Sequence, residues 1–313
     1  MKLKNFVLLC FFIMTSILGY GQNEGVGILF SPYQESQGLN SDKGIFPLLK
    51  NHFKDKQVQF PKPYSIGVQA FYYNQPTIAR QIRLEGSSVS GTNITATGDS
   101  IAQNTTITEL NLLVTASVWI FPFLSVYGIG GSTSGVIYPQ LTIDGIVVHN
   151  LPTLGDIKVD TAIGLDQKIA YTAASYGFGS TLSFGIRKLF FIGDYQFTRC
   201  KPSDFENVLI RQNITGKVGI QLQLKQTQLR FWAGVMYYNN DQKFHGQIKV
   251  ADIAPILLPL LGEEASYSGT VKAISNWNMM IGASLQIWNN SLFSLEAGFI
   301  GRSQVNIGYR FGF

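Results

Sequence analysis

The sequence predicts an all-β fold: a transmembrane antiparallel up-and-down β-barrel of about ten strands, with roughly eight to twelve compatible. Apolar residues recur with period 2 over long stretches, and the connections between those stretches alternate between short and long. Beyond the N-terminus, no apolar run reaches the ~18 residues expected of a membrane helix. Lipid admits only helices and closed barrels, because every backbone polar group must be satisfied internally.

Export is read from the first residues. Lys2 and Lys4 precede an apolar run from Phe6 to Leu18, followed by Gly19, Gly21 and Gln22. This charged, apolar, small-residue order predicts a signal peptide over 1–21, since the run falls short of the ~20 residues that span a bilayer. Cys10 lies mid-run rather than at the cleavage point, so it leaves with the peptide. Removing Lys2 and Lys4 lowers the net charge from +5 to 5 − 2 = +3. Such a balance selects no partner, and nucleic acid is not expected, because no basic cluster with interleaved aromatics is present. Of two cysteines, only Cys200 remains in the mature chain. An internal disulfide and a cysteine-based metal cluster are thereby excluded.

The clearest strand runs from Val208 to Gln223. Val208, Ile210, Ile214, Val218, Ile220 and Leu222 share one face, against Arg211, Asn213, Thr215, Lys217, Gln221 and Gln223 on the other. Leu110, Leu112, Val114, Ala116 and Val118 oppose Glu109, Asn111, Thr115 and Ser117 in the same way. Further strands carry Tyr176–Ile186, Phe191–Thr198, Leu229–Tyr237, Trp277–Ile287, Phe293–Phe299 and Val305–Phe313. Tyr64–Tyr73 and Phe123–Gly131 supply weaker members.

Short turns are expected near Pro122, Lys188, Gln226 and Asn290, and long loops over 75–106, 132–168 and 240–274. If the first strand rises from a periplasmic N-terminus, every short turn falls inside and every long loop outside, the barrel convention. Aromatics beside the turns (Trp119, Phe121, Phe123, Phe190, Phe191, Trp288 and Phe293) read as a girdle at headgroup level. A soluble barrel or sandwich alternates equally well with its apolar face turned in. Strand length, connection pattern and aromatic placement favour the membrane.

The final segment, Gln304-Val305-Asn306-Ile307-Gly308-Tyr309-Arg310-Phe311-Gly312-Phe313, resembles the terminal strand of bacterial outer-membrane barrels. That resemblance implies a Gram-negative outer-membrane location, lipid as a partner, and Tyr309, Phe311 and Phe313 as the signal read by the barrel-insertion machinery. Phe60-Pro61-Lys62-Pro63-Tyr64, Phe121-Pro122-Phe123 and Asn276-Trp277-Asn278 are similar to Bacteroidota-type outer-membrane proteins of uncharacterised activity, and Gly21-Gln22 suits their export junction. The organisation expected is a signal peptide over 1–21, a periplasmic extension or lumen plug over 22–60, and the barrel over 61–313. Ile45, Leu48, Leu49 and Phe53 would align on one side of a short helix.

On the inward faces lie Glu109, Asp194 and Glu296 against Arg211, Lys217, Arg230 and Arg310. Charges confined in a lumen of about ten strands must pair, which points to an Asp194–Lys217 bridge and an occluded pore. A second feature is the apolar run of Ile253, Ile256, Leu257, Leu258, Leu260 and Leu261 in an outer loop, which acts either as a lid or as a site for lipid, an apolar ligand or a partner. Catalysis is not expected: His52, His149 and His245 stand alone in the extension and loops. Glu263, Glu264, Asp241 and Asp252 match no calcium-loop spacing, and no metal or cofactor is expected. Four functions stay open: a narrow porin-like channel for a small solute, a filled structural barrel, a carrier of an apolar ligand, and a rim-site hydrolase or acyltransferase.

Overall fold

In a computed structural model, the described residues are Ile28–Leu29, Ile45–Leu48 and 62–313, apart from 88–92, 99–101, 139–140, 144–145, 152–154, 160–162, 166–167, 187, 203–207, 225–226, 241, 251–257, 259–261 and 288–289. The signal peptide, most of 22–60, Trp288, and the apolar-run residues Ile253, Ile256, Leu257, Leu260 and Leu261 therefore lie outside the described residues. Leu258 is half-buried, and its carbonyl accepts the Gly262 N–H at 3.0 Å.

Ten strands form the wall: β1 (Tyr64–Ser87), β2 (Ala102–Phe121), β3 (Leu124–Tyr138), β4 (Ile169–Ile186), β5 (Leu189–Pro202), β6 (Leu209–Leu224), β7 (Thr227–Asn239), β8 (Trp277–Ile287), β9 (Ser291–Phe299) and β10 (Ser303–Gly312). Each pairs antiparallel with the next, and β10 returns to β1 in register from Ser303↔Asn74 to Gly312↔Ser65. The barrel is closed, which leaves no free edge to seek another chain. Short turns join β2 to β3, β4 to β5, β6 to β7 and β8 to β9 at one end, here the turn end. At the opposite, loop end, β5–β6 and β9–β10 are also joined briefly.

Parts of the expected loops are strand. β1 climbs past the ends of β2 and β10, so its upper edges are open. Glu264–Ala273 takes one edge and is itself paired with Gln242–Lys249; Asn93–Gly98 takes the other and leads to Ile146–Leu151 and Gly155–Val159. Sequence periodicity missed this projecting sheet because Gln242–Lys249 and Glu264–Ala273 carry no sustained apolar alternation. His149 stands opposite Thr95 in it, and His245 opposite Ser268. The helix expected at 45–53 does not begin at Ile45: Ile45–Leu48 is irregular, since Phe46 precedes Pro47 and a residue before proline avoids the helical region. This piece sits at the turn end, where Leu48 N–H donates to the Ile120 carbonyl at 2.8 Å.

The two faces of the wall are inverted relative to a soluble barrel. On β6, Ile210, Ile214 and Val218 are 49%, 36% and 46% exposed, while Arg211 and Thr215 are only 3% and 5% exposed. The same outward apolar row continues through Ile66 and Val68 of β1, Leu112 and Val114 of β2, Met279 and Ile281 of β8, and Val305 and Ile307 of β10. Below the projecting part of β1, the outward charges among the described strand residues are Arg199 and Lys201, both near the loop end of β5. β8 has 11 residues, which at ~3.3 Å per residue and a tilt of ~40° climb ~28 Å, enough to cover an apolar band of ~25 Å.

Rings edge this band at both ends. Tyr64 stacks on Phe313, Phe184 on Phe191, and Phe293 meets Tyr309, all at the turn end. Tyr237 and Trp277 meet at the loop end. Trp119 and Phe190, expected in the girdle, instead face inward and are buried. Their parity matches the luminal residues of β2 and β5, and parity rather than nearness to a turn sets the direction of a strand side chain.

Candidate functional site: the lumen

All seven charges expected inward are inward. Glu109, Arg211, Arg230 and Glu296 are buried, and Asp194, Lys217 and Arg310 line an internal cavity of ≈ 250 Å³. Alternation along each strand places them there, and the strand order then decides which of them meet.

Toward the loop end, a polar layer crosses the lumen. Arg211 on β6 reaches Glu109 on β2, four strands around a wall of ten, with Nη2 donating to Oε1 at 2.6 Å. Its Nη1 donates to Asn111 Oδ1 at 3.3 Å and its Nε to Asn240 Oδ1 at 3.1 Å. Tyr171 on β4 donates its hydroxyl to the same Glu109 oxygen. Asn240 in turn donates to the Tyr73 hydroxyl at 2.8 Å, and Thr133 donates to Asn111 Oδ1 at 2.6 Å. Five wall strands thus contribute to one buried network. Cys200 closes its rim, fully buried, accepting the Ser175 hydroxyl at 3.1 Å.

The cavity lies between this layer and the turn end, with Tyr127, Asp194, Lys217, Trp232, Glu296 and Arg310 on its wall. Lys217 Nζ donates to Glu296 Oε2 at 2.5 Å, and the same oxygen accepts Trp232 Nε1 at 3.1 Å. The expected Asp194–Lys217 bridge is not formed. Asp194 instead accepts the hydroxyls of Tyr127 at 2.9 Å and Thr181 at 2.7 Å. Strand stagger is the reason. Leu189 pairs with Ile220, so β6 continues four residues beyond the turn-end limit of β5, and depths counted from their separate turns do not correspond. Asp194 faces Thr215, while Lys217 faces Ile192 nearer the turn end.

Below the cavity, Trp119, Phe190 and Arg230 occupy the turn end, each buried. Arg230 Nη2 donates to the side-chain oxygens of Gln228 and, at 3.1 Å, Gln286.

One local rule positions the aromatic groups. Tyr171 lies directly opposite Gly135, Tyr127 opposite Gly179, Phe190 opposite Gly219 and Trp232 opposite Gly282. A Cβ on Gly135 would fall within the Tyr171 ring, and one on Gly282 within the Trp232 indole. Glycine on the neighbouring strand therefore gives each ring a flat bed, and three of these rings donate to one luminal acid each: Glu109, Asp194 and Glu296. Sequence reasoning found the acids but not their ring donors. Inward-facing tyrosines and glycines were visible in the sequence, yet their partnership appears only when register is known.

Among the described residues no cluster of three or more histidine, cysteine or acidic side chains forms a metal site. Tyr309, Phe311 and Phe313, the residues expected to form an insertion signal, lie where β10 seals the barrel. Phe311 and Phe313 are exposed on the outer face, and Phe313 exchanges backbone hydrogen bonds with Tyr64 at 2.9 and 3.3 Å.

The sequence matches no protein-family model and no curated relative. In fold, the chain is similar to the β domain of the Bordetella autotransporter BrkA (11% identity, TM-score 0.36), with 80% of this chain and 100% of that one covered. It is also similar to the translocator domain of the autotransporter NalP from Neisseria meningitidis (10%, 0.30; 80% and 89% covered). A third likeness is to an outer membrane channel from Pseudomonas putida F1 (11%, 0.29; 81% and 97% covered). These neighbours are bacterial outer-membrane β-barrels, and the chain is a closed antiparallel β-barrel of ten strands.

Proposed function

We propose that this chain is an outer-membrane barrel with its loop end outward, whose resting lumen is filled and non-conducting. The observation that carries the reading is the Glu109–Arg211 pair bridging the lumen, with side chains 0% and 4% exposed and hydrogen-bonded into Asn111, Tyr171 and Asn240. Barrels of eight strands are just filled by side chains, and sixteen or more leave a channel; ten lies near the filled limit. The outward apolar band supports membrane insertion, because an apolar surface of that extent in water would drive association. Insertion through the Phe313 ending, and the Bacteroidota-type origin, belong to the same proposal. No catalytic role is proposed.

Refolded protein in liposomes should retain entrapped potassium ions and show a heat-dependent shift in gel mobility. Rapid efflux through the unmodified protein would overturn the filled lumen; recovery of the mature chain in soluble periplasm would overturn the membrane assignment.

A further inference from the structure

Arg199 and Lys201 stand apart on the outer face of β5. Strand parity turns both outward, between the buried Thr198, Cys200 and Pro202, and both are exposed. Neither has an ion-pair partner among the described residues. Counted from Leu189 at the turn end, Arg199 is 199 − 189 = 10 residues up the strand, which at ~3.3 Å per residue and a tilt of ~40° is a height of ~25 Å. The pair therefore sits at the upper rim of the apolar band, where a lipid-facing cation costs least.

Below the cations the wall is hollowed. A groove of ≈ 670 Å³ crosses the outer faces of β2 to β5, lined by Val118, Val126, Gly128, Phe178, Ser180 and Tyr195 among others. Gly128 opens its floor: a Cβ there would meet no atom within 4 Å. The register puts this groove beneath the charges. Arg199 faces Tyr176, Phe197 faces Phe178 and Tyr195 faces Ser180, so the groove begins two strand residues, ~7 Å, below Arg199. Contact is continuous on the way down. The Arg199 guanidinium carbon is 5.8 Å from the Phe197 ring centroid, and that ring is 5.4 Å from the Phe178 ring.

We propose that Arg199, Lys201 and this groove form a site for one phosphorylated membrane lipid, its phosphate held by the two cations and an acyl chain laid over Phe197 into the groove. Charge and shape each select. Cations at headgroup height attract anionic lipid, and an apolar hollow within the band favours hydrocarbon, because a wall facing a void forfeits its dispersion contacts. A polar end and an apolar end ~7 Å apart fit one amphiphile rather than a free phosphate. The site rests on the membrane reading above and is indifferent to whether the lumen conducts.

Native mass spectrometry of the full chain, refolded in detergent and titrated with dioleoyl phosphatidic acid, would give the Kd of the first lipid retained. Each surface cation contributes about fivefold in affinity for an anionic lipid. Dioleoylglycerol, which lacks the phosphate, should therefore bind about thirtyfold more weakly, and Arg199→Gln/Lys201→Gln should weaken phosphatidic acid by about the same factor. Gly128→Leu fills the groove, so it should weaken the dioleoyl lipid and leave dihexanoyl phosphatidic acid unchanged. The heat-dependent gel shift of the same samples reports the closed barrel. Its loss in the unmodified chain would count against the membrane reading, whereas a shifting barrel with equal Kd for the two dioleoyl lipids would overturn the site alone. Unaltered dioleoyl binding in Gly128→Leu would also overturn it. So would unchanged affinity in Arg199→Gln/Lys201→Gln, the result expected if Asp204 or Glu206 of the adjoining connection neutralises the cations.

Discussion

Replacing Arg211 by methionine would leave the Glu109 carboxylate in the lumen with its counter-charge gone. The pair is separated by 2.6 Å and its side chains are 4% and 0% exposed. At an effective dielectric of ~20 the direct attraction is ~6 kcal/mol. Desolvation offsets much of this, and breaking a buried pair from one side costs about 3–5 kcal/mol. The lost donations to Asn111 and Asn240 push the expected value toward the upper end. A loss of ~4 kcal/mol is nearly a thousandfold in the folding constant. Glu109→Gln alone should cost less, because Tyr171 can still donate to the amide oxygen. The double variant should recover much of the Arg211→Met loss. Urea titrations in detergent micelles, read by gel mobility without heating, give the double-mutant cycle. Single effects that simply add would refute the bridge as an energetic unit.

Three further outcomes follow from named contacts. Lys217→Ala should cost about 3 kcal/mol and couple more strongly to Glu296→Gln than to Asp194→Asn in a double-mutant cycle; the reverse order would restore the adjacent-strand bridge in place of the observed one. Gly282→Ala drives a Cβ into the Trp232 indole and should cost about 1–3 kcal/mol, with a changed tryptophan emission; unaltered urea midpoints and spectra would show that the ring has room. Deleting Phe313 should reduce outer-membrane yield far more than it lowers the unfolding midpoint of the protein that does insert, and normal yield would remove the insertion role.

The alternation of Val208–Gln223 and its counterparts made the strands and both faces readable, because a period of 2 assigns every residue to the outer or the inner face. That is why Glu109, Asp194, Arg211, Lys217, Arg230, Glu296 and Arg310 were all recognisable as luminal. Pairing was not readable, since partners depend on stagger: Leu189 opposite Ile220, rather than turn opposite turn, sends Lys217 to Glu296. Trp119 and Phe190 face the lumen rather than the girdle because strand parity, not nearness to a turn, sets a side chain's direction.

Planar-bilayer recording on the unmodified, refolded chain tests the filled lumen most directly. The Glu109–Arg211 layer predicts an electrically silent barrel that acquires steady open steps when both residues are replaced by alanine. Steady steps from the unmodified chain, at the same conductance as the double variant, would contradict it.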